Sequence, residues 1–272
     1  AYDNLHIRGH EEIYFERSQK RFDQINNLNA QVGPIYVVHP DDIKLAELIK
    51  EQIALTARML VRAGLIVGFG HVSARTKDGL FITNTQPLAY TVAKDILFYS
   101  FSSSAKIKIK NIPLETPMHA AIYNKRKNVK AICRGHGQYV SAWAVSSEEL
   151  PLLHGLGAIA GEKVNNHNDI NLITSSKSAT NLAKTLGTDA SLILGSNGCL
   201  ATGGNLLEAA VRLYFLEERA RIAILARNTG IKLRKISKKD WEKRISNTRA
   251  ETLRAMKWFE KTFGETKNDL HD

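Results

Sequence analysis

From about residue 42 onward, apolar side chains recur at two spacings, three to four residues apart or every second residue. The chain therefore reads as helices interleaved with strands. Leu45, Ile49, Ile53, Thr56, Leu60 and Ala63 mark one face of a long helix, and Gly64 is its stop. Leu65-Ile66-Val67 enters Gly68-Phe69-Gly70-His71-Val72-Ser73-Ala74-Arg75, which reads either as a ligand-facing glycine turn or as a glycine-containing hairpin. Runs at 80–83 and 96–101 are strand candidates, and Lys106-Ile107-Lys108-Ile109-Lys110 alternates as a half-exposed strand does. Thr116 suits an N-cap and Pro117 the first helical position, predicting a helix to about Lys127 and then a strand over 129–133. Helices are predicted over 139–145 and 175–186, and strands over 191–195 and 199–202 about the hairpin signal Asn197-Gly198. Asn205, with Glu208 three residues on, opens a long amphipathic helix to about Arg227.

Alternating helices and strands in one body imply an α/β layered domain over 41–228. Residues 1–40, broken by Gly33-Pro34 before the apolar Ile35-Tyr36-Val37-Val38, read as an extension wrapping the body or a neighbouring subunit. Residues 229–272 read as a basic helical tail, with Trp241, Ile245, Leu253, Met256 and Trp258 as its apolar contacts.

Composition narrows the function classes. With 272 residues, 43% hydrophobic and 24% charged, the chain can bury a sizeable core. No apolar run approaches the roughly 18 residues of a membrane span, and the charged N-terminus lacks a signal-peptide core. Cys133 and Cys199 both lie in apolar runs, as buried, reduced cysteines of a cytoplasmic protein do. The net charge of +11 has no nucleic-acid motif or interleaved aromatics beside it. It reads as solvated surface, with attraction of an anionic substrate second. No glycine-rich nucleotide motif is present.

Chemistry concentrates in Pro113-Leu114-Glu115-Thr116-Pro117-Met118-His119 and in Arg134-Gly135-His136. One carboxylate, two imidazoles and a guanidinium so close in sequence predict a metal or proton-transfer site; the bland alternative is unrelated polar residues near a helix. His154 reads as a core or turn residue, or as a further ligand.

These segments, with Ala57–Leu65, Leu192–Gly203 and the Glu217-containing helix, resemble the class II aldolase/adducin superfamily over roughly 42–228. The resemblance implies a three-layer α/β/α fold with a central, mostly antiparallel sheet, and a homo-oligomer, commonly a tetramer. It also implies a divalent metal, Fe(II) or Zn(II) with Mn(II) as a further candidate. Glu115 matches the family's proton-transferring acid. The family's His-x-His metal pair stands here as Arg134-Gly135-His136, and its third histidine as Asn197. The ligand set implied is Glu115, His119 and His136, with His154 or His71 completing it. Arg134, with Ser73 and Asn197, would bind substrate, and His71 would assist catalysis. Arginine grips a carboxylate bidentately, and the family's phosphate-binding serines have no counterpart. The expected reaction is therefore cleavage of a carbon–carbon bond in a small, non-phosphorylated hydroxy- or keto-acid, by decarboxylation or aldol chemistry. Gly-His-Val-Ser-Ala-Arg resembles a divergent branch holding aromatic-acid decarboxylases and an iron oxygenase acting on a prenylated hydroxyphenylpyruvate. An Fe(II) oxygenase and a non-catalytic adducin-like module are the alternatives.

Overall fold

A computed structural model describes residues 40–102, 109–232 and 237–265. The N-terminal extension, with its apolar run at 35–38, lies outside the described residues, as does the alternating lysine run except Ile109 and Lys110. The chain divides into two units, Ala1–Ile43 and Lys44–Asp272, and the second carries the sheet, the candidate site and all of the first helix beyond Ile43.

Helix α1 (Pro40–Arg62) buries Ile53, Thr56 and Leu60 of the face its spacing predicts, and Ala57 beside them. It ends where Gly64 adopts a φ of +70°, a left-handed conformation that costs glycine little. The strands are β1 (His71–Arg75), β2 (Gly79–Thr83), β3 (Ile96–Ser100), β4 (Ala131–Gly135), β5 (Asn165–His167), β6 (Ser191–Leu194) and β7 (Cys199–Gly203). They form one seven-stranded sheet in the order β3-β2-β1-β4-β7-β6-β5. Every pairing is antiparallel except β5 with β6.

Period-two alternation sends successive strand residues to opposite faces, and each face carries its own core. On one side Val72, Ala74, Cys133, Ile193 and Ala201 pack with α1 and with α5 (Leu206–Asn228). On the other, Leu80, Ile82, Ile132, Leu192 and Leu200 pack with α2 (Thr116–Lys125) and α4 (Ser176–Leu186). The α/β/α layering expected from the resemblance is thus the observed architecture. The short α3 (Gln138–Trp143) follows β4, and Glu217 of α5 accepts its Tyr139 and Val140 N–H groups at 2.7 and 2.8 Å. Both cysteines are free and buried.

Two local expectations shift, and one strand was not expected. Helix α2 is capped by Glu115 rather than Thr116, because the Thr116 hydroxyl turns back to donate to the Pro113 carbonyl at 2.6 Å. Strand β4 starts two residues later than predicted and so includes Arg134. Strand β5 is not among the strands predicted from the sequence, since its Asn165-Asn166-His167 carries no apolar alternation. The basic tail forms α6 (Lys238–Ile245) and α7 (Thr248–Phe263), and α7 docks on α5. Tyr214 meets Trp258 edge-on at 5.1 Å, and Phe259 is fully buried.

Candidate active site

The antiparallel register makes His71 of β1 the direct partner of Arg134 of β4, so both side chains leave the same face of the sheet. Helix α2 crosses that face and brings Glu115 and His119 to them. Although Glu115 is the N-cap of α2, its side chain makes no capping bond, which leaves the carboxylate to the site. Its Oε2 lies 3.4 Å from His71 Nε2 and 3.3 Å from Arg134 Nε, and its Oε1 accepts the Ile173 N–H at 3.2 Å. All three side chains are buried.

The electrostatics follow from that enclosure. Burial pushes the Glu115 carboxyl up, but the His71 hydrogen bond and the Arg134 guanidinium outweigh it and hold it at about 2. Burial lowers His71 and takes His119 well below its usual range, so both imidazoles are neutral near pH 7. An ionised Glu115 requires the proton of His71 on Nε2. Its Nδ1 then accepts from His119 Nε2 at 2.7 Å, and His119 Nδ1 accepts from the Ser73 hydroxyl at 2.7 Å. The Tyr123 hydroxyl lies 2.8 Å from the Ser73 hydroxyl and donates to the Ser73 carbonyl at 3.1 Å. A continuous chain of donors therefore backs the carboxylate.

His136 sits on the other side of the guanidinium. Arg134 Nη1 donates to the Gly135 carbonyl at 3.0 Å and to His136 Nε2 at 2.9 Å, and His136 Nδ1 donates to the Phe69 carbonyl at 3.0 Å. Asn197, in the turn between β6 and β7, is a further hydrogen-bond partner of His136. Gly198 of that turn has a φ of +75°, and a Cβ there would lie 2.8 Å from His136 Cδ2.

The structure thus brings Glu115, His71, His119, Arg134, His136 and Asn197 into one neighbourhood. Ser73, expected to face substrate, is fully buried behind His119, because its hydroxyl is taken by His119 and Tyr123. His154, expected as a ligand, lies in a different loop whose charged neighbours are Glu218, Arg219 and Arg221. Two residues escape a reading from sequence alone. Tyr123 looks like helix core, and Arg219 like part of a solvated face. Arg219 is 1% exposed and donates to the carbonyls of Leu150, Pro151 and Gly161, which flank His154 on both sides in the chain.

Among the described residues no group of three or more His, Cys, Asp or Glu side chains is arranged to hold a metal ion. The donor set explains this. His119 has both ring nitrogens engaged and no exposed surface, and the only lone pair of His136 accepts from Arg134. A divalent ion about 4 Å from that guanidinium would meet a repulsion of about 8 kcal/mol at an effective dielectric of about 20. As arranged, the residues do not fit the metal implied by the resemblance.

A pH dependence follows. Glu115 is depressed from 4.5 to about 2, so its stabilisation is complete above 4.5 and is lost as pH falls toward 2. The size is about 3 kcal/mol, from about 1.4 kcal/mol per unit. His71 and His119 are also lowered, from 6.5, so the unfolded chain takes up more protons than the folded one once pH drops below that value. Urea midpoints should therefore be flat from about pH 7 to 8 and decline on acidification, first through the histidines and then through Glu115. A midpoint unchanged from pH 7 to 4 would contradict the assigned charges.

Comparison with known proteins agrees with the fold. Residues 51–224 match the family described as Class II Aldolase and Adducin N-terminal domain. An L-fuculose phosphate aldolase of Methanocaldococcus jannaschii is 27% identical over 177 residues, covering 65% of this chain and 96% of the relative. A solved L-fuculose 1-phosphate aldolase superposes with a TM-score of 0.68 at 25% identity, covering 74% of this chain and 96% of that one. The corresponding enzyme of Glaciozyma antarctica superposes with a TM-score of 0.67 at 16% identity, covering 86% and 97%, a likeness of fold. By sequence match, sheet order and layering together, the chain belongs to the class II aldolase and adducin family.

Proposed function

We propose that the chain is a carbon–carbon lyase of the aldol type, in which Glu115 moves the proton and Arg134 holds the substrate oxygen that gains charge. One observation carries this reading: the buried convergence of Glu115 Oε2, His71 Nε2 and Arg134 Nε. With its pKa held at about 2, the carboxylate is a weak base while both partners face it. A substrate oxygen that takes up the guanidinium removes one of them and raises the basicity of the carboxylate where the proton is to be taken. Asn197, beside His136, is a further substrate contact in this reading.

The relatives' names support a phosphorylated sugar as substrate, over the non-phosphorylated acid expected from the sequence. The net charge of +11 suits either anion. A second reading keeps the small hydroxy- or keto-acid, and Arg134 favours it, because a guanidinium matches a carboxylate bidentately. A homo-oligomer, a tetramer by the resemblance, belongs to the same proposal. Phe69, whose carbonyl binds His136, and Leu114, which precedes Glu115, are exposed large apolar residues that a second copy would cover.

The test is a substrate panel. The full chain is incubated with L-fuculose 1-phosphate, related phosphorylated ketoses and matched non-phosphorylated hydroxy- and keto-acids, with products followed by NMR. Release of an aldehyde from a phosphorylated member is the expected result. Turnover of the acids alone would establish the second reading, and no turnover of any member would remove the lyase assignment.

A further inference from the structure

We infer that Arg134 stands in for the divalent metal, so that the site is a metal-free electrophile built from a buried guanidinium. The inference deepens the lyase reading of this site, and its metal half stands without that reading. Three observations carry it. Arg134 lies between the groups a metal would join: Nη1 is 2.9 Å from His136 Nε2, and Nε is 3.3 Å from Glu115 Oε2. Arginine has donors and no acceptor, so every lone pair turned toward it is occupied by a cation already present. The guanidinium is 1% exposed and anchored to the Gly135 carbonyl, which makes it part of the wall and not a mobile lid.

The third observation concerns direction. Arg134 Nε is buried and faces Glu115 Oε2 at 3.3 Å as an ion pair, without a well-aligned hydrogen bond to it or to any other acceptor. Buried donors without acceptors are rare. This one is oriented beside Glu115, where a substrate oxygen would be processed. In aldol cleavage Glu115 takes the proton of the substrate hydroxyl, and the carbon–carbon bond breaks to leave an aldehyde. The electron pair passes to the adjacent carbonyl as an enolate. Arg134 Nε–H donates to that enolate oxygen, and Glu115 returns its proton to the enolate carbon. Atoms and electrons balance with no co-reactant.

The test is metal binding, measured apart from turnover. The full chain is purified anaerobically and assayed for iron, zinc and manganese. After chelator treatment it is titrated calorimetrically with each ion, beside Arg134→His and His136→Ala. Wild type should carry well below one ion per chain and show no saturable binding below about 100 μM. Arg134→His replaces the competing cation with an imidazole next to His136 and Glu115, and should gain one site with an affinity at least about tenfold tighter. Wild type holding one ion per chain that His136→Ala removes would overturn the inference. So would a folded Arg134→His variant that binds no better than wild type. If Arg134→His does not fold, the wild-type and His136→Ala titrations decide alone. A metal-free chain inactive on the whole substrate panel would remove the lyase reading and leave this one intact. An active, metal-loaded chain would do the reverse.

Discussion

Glu115→Gln should lower turnover of whichever substrate the panel identifies by about 10²- to 10⁴-fold, the range general acid–base catalysis supplies. It should also destabilise the fold by about 3 kcal/mol near pH 7, because it removes the negative charge facing a buried guanidinium. The two effects separate in Glu115→Asp. That variant keeps the charge beside His71 and Arg134 but withdraws the carboxylate by about one methylene, roughly 1.5 Å. Most of the stability should return while the rate stays low, because misplacement of that size at a reacting atom is costly. Urea denaturation and steady-state kinetics on the three proteins are the measurements. If Glu115→Asp restored rate and stability together, the carboxylate would be a charge partner of Arg134 and not the proton-transfer group.

Arg219→Leu should be the most disruptive change outside the site. Its side chain is 1% exposed, and it donates at 2.7 Å to the carbonyls of Leu150 and Gly161 and at 3.1 Å to that of Pro151. Burial pulls its pKa down to about 10, so it still carries its charge at neutral pH. Leucine fills part of the volume and leaves those carbonyls without their donor. At about 1–3 kcal/mol for each unsatisfied buried group, partly relieved by water, a loss of about 3–5 kcal/mol is expected. The urea midpoint reads this directly. A loss below about 1 kcal/mol would mean that the loop finds other donors or water at little cost.

Much of the framework was legible in the residues because it depends on local rules. The buried face of α1 follows its three-four spacing. Asn205 caps α5 by accepting the Glu208 N–H at 2.8 Å, and Asn197-Gly198 makes the turn between β6 and β7. Of the apolar contacts expected in the tail, Met256 packs against the core and Trp258 meets Tyr214 edge-on while staying partly open to solvent, whereas Leu253 is exposed. What escaped has a non-local cause. Strand β5 is polar and is held by pairing with β6. Thr116 has the chemistry of a cap, but the helix starts one residue earlier than expected, with Glu115 at the cap position and the Thr116 hydroxyl on the Pro113 carbonyl.

In the site the division is sharper. The sequence alone determined that Glu115, His119, Arg134 and His136 would be close, because a helix start and the end of the next strand lie side by side in an α/β layer. Tertiary structure decided which of their atoms face each other. The β1–β4 register sets His71 opposite Arg134, and the crossing of α2 threads His119 between His71 and Ser73. Those contacts turn His119 from an apparent ligand into a buried link in a hydrogen-bond chain, and they put a guanidinium where the ligand pattern implies a metal. The physical reason is that side-chain type and spacing fix which groups are present. Only strand register and helix crossing fix the lone pairs and protons they have left to offer.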